Sequence, residues 1–235
     1  MAKAFGFFGG GYGKAGQLVY YMDRGQMVNR AYNGHPIDPR TTRQVSARKR
    51  FGVASNLTKM VAYAVDLGFP RRKRLSRRDQ FMRMVAPADS LAIRQSGDTF
   101  TVNWANLKVA KGAMPVPDVL VLPIPQEVAQ IDIKLGAEYK PERLGWTPSV
   151  AGEAGIVVLV VNDGLNQSIV AQVLAGSDTT ITATVPFSWS GTHVEVYIFG
   201  KWVPESYTDI ASRTLPWKFP SEASDSYYCG NVTVL

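Results

Sequence analysis

Ile156-Val157-Val158-Leu159-Val160-Val161 is apolar at every position. Gly155 precedes it and the turn-forming Asn162-Asp163-Gly164 follows it. An unbroken β-branched run of this length suits a strand covered on both faces, because a strand with one wet face alternates. Thr180-Ile181-Thr182-Ala183-Thr184-Val185 does alternate, and predicts a strand with one face in water. Further strands are predicted at Leu91–Arg94, Phe100–Trp104, Leu107–Ala110, Val119–Leu122, Ile131–Leu135, Ile169–Leu174, His193–Phe199 and Tyr227–Val234. Strand–turn units about ten residues apart are the pattern of an immunoglobulin or fibronectin-III-like β-sandwich. The sandwich is expected over residues 89–235, with a long proline-containing loop near 203–226.

Upstream the texture is helical. Thr41 and Gln44 have capping-box spacing. Phe51, Ala54, Leu57, Val61, Ala64 and Val65 follow at the three- and four-residue intervals of an amphipathic stripe, and Gly68 with Pro70 ends it. Ser76 and Asp79 repeat the capping pattern, with Phe81, Met84 and Val85 as the inner face of a second helix. Arg43, Arg48, Lys49 and Arg50 crowd the N-terminal turns of the first helix, where the dipole is already positive. Such crowding is unfavourable unless an anion or an acidic partner lies close. Arg71-Arg72-Lys73-Arg74 with Arg77 and Arg78 is the densest charge run.

The first forty residues read as an extended arm. Gly13 to Tyr32 reads as a hairpin in which two runs rich in Val, Tyr and Met flank Arg24-Gly25. In that register Met22 faces Met27, Tyr21 faces Val28 and Tyr20 faces Asn29. Apolar side chains then lie on both faces, and a lone hairpin of this kind is marginal in water. Phe5, Phe7 and Phe8 among the glycines of residues 1–16 suggest a tail that orders on contact. Two prolines hold Asn33 to Arg40 extended. The expected organisation is an arm over 1–40, a basic helical segment over 41–88 and a sandwich over 89–235: α+β, mainly β.

Charge is segregated along the chain. Residues 1–86 carry 17 Lys and Arg against 4 Asp and Glu, a net +13, while residues 87–235 carry 9 against 15, a net −6. A basic end of this kind faces phosphate or the acidic end of a neighbouring subunit, and the second arrangement generates head-to-tail rings. No apolar run reaches the roughly 20 residues of a bilayer-spanning helix, and the start lacks the sustained apolar segment of a secretory leader. No phosphate-binding loop or nucleophile elbow is present. His35, His193 and Cys229 are too few and too scattered for a recurring zinc site, and no cofactor is expected. A buried, inert Cys229 and surface histidines are the expectation.

Gly13-Lys14-x-Gly16, Val19-x-Tyr21-x-x-Arg24-Gly25-x-x-Val28-x-Arg30 and Asp38-Pro39-Arg40-Thr41-x-x-Gln44-x-x-x-Arg48-x-Arg50-Phe51, with Trp189-Ser190-Gly191 and Val194-x-Val196-Tyr197-x-Phe199, resemble an uncharacterised family common in gut Bacteroidetes and their phages. The resemblance extends to tail or collar ring proteins of crass-like phages. It implies a C-terminal sandwich and a virion component, with no catalytic residues to carry over. The loop after Trp202 and the run Arg71–Arg78 depart from that pattern.

The reading is therefore a non-enzymatic structural protein of a tailed phage particle, assembled in the host cytoplasm and located in the virion. It forms a homo-oligomeric ring in the tail or collar and contacts other tail, portal or collar proteins, not a membrane. Candidate interface residues are Tyr20, Tyr21, Met22, Arg24, Met27, Val28, Arg30, Arg40, Arg48, Arg50, Arg71, Arg72, Arg74, Trp217 and Phe219. One alternative is nucleic-acid binding through the basic segment 43–78, which predicts steep salt dependence. Another is a carbohydrate-binding or adhesive sandwich that uses Trp202, Tyr207 and Trp217.

Overall fold

The computed structural model describes residues 13–15, 17–23, 26–32, 40–70, 72, 75–125, 129–136, 138–148, 152–174, 179–204 and 222–235. The chain divides into two compact units, Met1–Gln44 and Val45–Leu235.

The first unit is built on a three-stranded antiparallel sheet in the order β1 (Gly13–Ala15), β2 (Leu18–Asp23), β3 (Gln26–Ala31). The β2–β3 register pairs Tyr20 with Asn29, Tyr21 with Val28 and Met22 with Met27, as the hairpin reading requires. The strand β1 was not expected from sequence. It adds to β2 with Gly13 opposite Tyr20 and Ala15 opposite Leu18. With no β-branched residue and three positions, it carries too little pattern to be read.

The second unit is mainly β and has three layers. Its central layer is a four-stranded antiparallel sheet in the order β12 (Tyr227–Thr233), β11 (His193–Pro204), β8 (Gly152–Asn162), β9 (Gln167–Leu174). One face packs on a three-stranded sheet in the order β10 (Thr180–Thr184), β7 (Gln130–Leu135), β6 (Val119–Pro125). Ile131, Ile133, Ile156, Val158, Val160, Ile181, Val196 and Ile198 fill the core between the two sheets. The other face of the central sheet, through Val157, Leu159, Val161, Tyr197 and Phe199, packs on helices. The apolar run Ile156–Val161 is thus buried on both sides. Each such side chain contributes on the order of 1.5–3 kcal/mol by leaving water.

The helical layer comprises α1 (Thr42–Met60), α2 (Ala62–Gly68) and α3 (Arg77–Val85). Thr41 Oγ1 accepts the Gln44 N–H at the start of α1. The Ser76 capping box of α3 is complete in both directions. After Gly68 the chain turns extended at Phe69, as the following proline requires. Phe69 and Phe81 meet edge to face at 6.1 Å. Tyr197 Oη donates to the Trp104 carbonyl and Ser168 Oγ to that of Met60, tying sheet to helical layer.

Three expectations change. The hairpin β4 (Ile93–Ser96)–β5 (Thr99–Val102) belongs to the helical side, with Ala92 and Ile93 in that core. Leu107–Ala110 forms no strand and pairs in no sheet among the described residues; its apolar side chains fill the same core. Phe51 is exposed; the predicted stripe holds at Ala54 and Leu57, and Arg50 and Thr58 are buried beside them.

Candidate functional site

No cluster of three His, Cys, Asp or Glu among the described residues could hold a metal ion. Among the same residues no helix is long and apolar enough to cross a membrane. The Cys229 thiol is buried, and burial pushes it up to about 12, which leaves it unreactive at neutral pH. The candidate surfaces are therefore the N-terminal sheet and the basic helical layer.

In the sheet, opposed residues share a face. Val19, Tyr21, Val28 and Arg30 lie on one; Leu18, Tyr20, Met27, Asn29 and Ala31 lie on the other. No side chain described in this sheet is buried. Tyr21 on one face, and Leu18 and Met27 on the other, are exposed large apolar groups. The Arg30 guanidinium stands over the Tyr21 ring at 5.8 Å, a cation–π contact that fixes both side chains on one surface. Tyr20 and Val28 are half-buried. The backbone places Met22 opposite Met27, and Arg24 lies outside the described residues. The sheet thus carries exposed apolar groups on both of its faces.

The basic residues separate into two groups. Arg40 and Arg48 are exposed; Arg72 is exposed at an isolated bridge to Leu75. Arg50, expected at a subunit interface, is instead turned inward, with 7% of its surface exposed. Its Nε donates to the Ala86 carbonyl at 3.1 Å, and its Nη2 donates to the Ser90 and Ile93 carbonyls at 2.9 Å each. These acceptors lie where the chain leaves α3 and enters β4, so Arg50 serves the loop as a clamp. Part of the run 71–78 is also absorbed internally: Arg77 donates to the Asp66 carbonyl and Arg78 pairs with the Asp66 carboxylate at 2.7 Å. The helix N-terminal crowding is relieved by Arg50 burial and by a long Lys49–Asp98 pair at 3.9 Å. Arg71, Arg74, Trp217 and Phe219 lie outside the described residues.

No protein-family model matches the chain, and no curated protein matches it. Trp202 is buried and stacks on Trp146 at 5.1 Å, so it offers no ring to a sugar; Tyr207 and Trp217 lie outside the described residues.

Sequence reading missed Lys201. It follows Tyr197 and Phe199 on the helix-side face of β11, and its ammonium is pushed down to about 8, by burial first and by the Arg77 charge second. Below pH 8 the folded chain holds a desolvated ammonium, while the unfolded chain keeps its proton up to the ordinary 10.5. Stability from this group is therefore lowest below pH 8 and rises between pH 8 and 10.5. Lys201→Met is expected to gain about 2 kcal/mol at pH 7, fading toward zero by pH 10.5. Urea midpoints of the two chains at pH 7 and pH 10 check this, and a gain that does not change with pH contradicts it.

Proposed function

We propose that the chain is a structural protein of a tailed phage particle, forming a ring in the tail or collar by clasping neighbouring subunits with its N-terminal arm. The observation that carries this reading is the small sheet Gly13–Ala31, apolar on both faces and with no buried side chain among those described. Three short strands with no buried side chain among those described contribute little stability alone and gain it by covering their faces on another molecule. The family resemblance and the +13 against −6 segregation support the same reading. The facing antiparallel sheets are of the immunoglobulin or fibronectin-III kind on this reading, with a helical layer added over the four-stranded sheet.

The test is a pair of chains sized by light scattering. Wild type is expected at a multiple of the 25.8 kDa subunit. Tyr21→Lys combined with Met27→Lys is expected to stay a single folded subunit, because both side chains are exposed. A wild-type chain that stays monomeric and binds no other virion protein contradicts the reading.

A further inference from the structure

The outward side of α1 exposes Arg48, Gly52, Asn56 and Lys59, with Tyr63 exposed one turn further and Phe51 exposed at the flank. Gly52 is the anomaly among them. On an exposed helix surface glycine is the least favourable residue after proline. A Cβ placed on Gly52 meets nothing within 4 Å, so no described part of the chain requires the position to be bare. A bare backbone is needed where something else approaches closely. Phe51 beside it leaves 59% of its surface in water, whereas its neighbour Arg50 is buried. Two independent features, a missing side chain and an uncovered ring, thus mark one spot.

The charges identify what fits there. Residues 41–88 carry 12 Lys and Arg against 2 Asp and Glu, and residues 119–235, which hold the two facing sheets, carry 6 against 12. One chain holds both a cationic helical layer and a net-negative sandwich to meet it.

We propose that the outer side of α1 is half of a head-to-tail contact, in which the acidic sandwich of a second copy packs onto Gly52 and Phe51. Arg48 and Lys59 steer the approach and set its register. The two surfaces differ, so the contact is heterologous and propagates around a ring. This inference rests on the self-association proposed above and adds a contact on the body to the one made by the arm.

The experiment compares full-length wild type, Gly52→Ala and Gly52→Leu by light scattering over a concentration series, with melting curves alongside. Both variants are expected to melt at or above the wild-type Tm, because each replaces a helix-interior glycine. Gly52→Leu is expected to need at least tenfold more protein to assemble, and Gly52→Ala is expected to fall between. Lys59→Glu is expected to weaken assembly at low salt and to converge on wild type at high salt. Unchanged assembly of Gly52→Leu overturns the contact while leaving self-association standing. A wild type that remains monomeric removes both. A lower Tm for Gly52→Ala assigns the glycine to the fold and overturns the contact. Binding of a 20-bp duplex that Gly52→Leu abolishes, without any change in mass, gives the surface to nucleic acid and overturns it too.

Discussion

Arg50→Met is expected to destabilise the chain by about 3 kcal/mol, because it removes the donors from three carbonyls, two of them part-buried and one buried. Those carbonyls belong to Ala86, Ser90 and Ile93, which join the end of α3 to the start of β4. Methionine matches much of the stem and supplies no donor. Lysine restores a charge but not the planar fork, so Arg50→Lys is expected to recover less than half of the loss. For a chain of this size the methionine variant corresponds to a Tm lowered by roughly 6–12 °C. The outcome also separates two roles for the residue. An interface arginine weakens assembly and leaves the monomer's melting unchanged, whereas the clamp seen here lowers Tm at concentrations too low for any assembly.

A loss of similar or larger size, on the order of 3–5 kcal/mol, is expected for Gly200→Ala. Gly200 lies on β11 opposite Ile156, and a Cβ there falls 2.0 Å from Tyr139 Oη and 2.5 Å from its Cζ. The ring cannot swing away cheaply, because Tyr139 is buried and its hydroxyl donates to the Pro115 carbonyl at 2.6 Å. Gly200 is held on its other side as well: its N–H donates to Ser224 Oγ and its carbonyl accepts from the Ser224 N–H. Combining Gly200→Ala with Tyr139→Leu is expected to cost less than the sum of the two single changes, since the second removes the atoms in conflict. Strict additivity in denaturant melts contradicts the steric account.

How far the residues alone led depended on whether the deciding force was local. Hairpin register followed from Gly25 and the alternation on either side of it, and Tyr21 does sit opposite Val28. The double burial of Ile156–Val161 followed from the absence of any polar position, although helices as the second cover were not legible. The stripe read from the sequence is buried at Ala54, Leu57, Val61, Ala64 and Val65 and fails only at its first member, because aromatic Phe51 outweighs arginine in any hydropathy reading. The carbonyls that draw Arg50 inward lie more than 35 residues away, as the separation of 36 to Ala86 shows. Leu107–Ala110 reads as a strand because its side chains are buried, yet burial there comes from helices and not from ladder pairing. Of the interface candidates, the exposed Tyr21 and Arg30 share one face of the hairpin and the exposed Met27 lies on the other, a division readable from the hairpin register. The bare backbone at Gly52 required knowing that nothing stands beside it.

Amide hydrogen exchange of Leu18–Ala31, followed in dilute and in concentrated solutions of the full chain, tests the central claim most directly. No side chain described in this sheet is buried, so its amides are expected to exchange rapidly when subunits are apart. On assembly their protection is expected to rise at least a hundredfold. Protection that is already high in dilute solution, and does not change with concentration, would show that the arm completes itself without a neighbour.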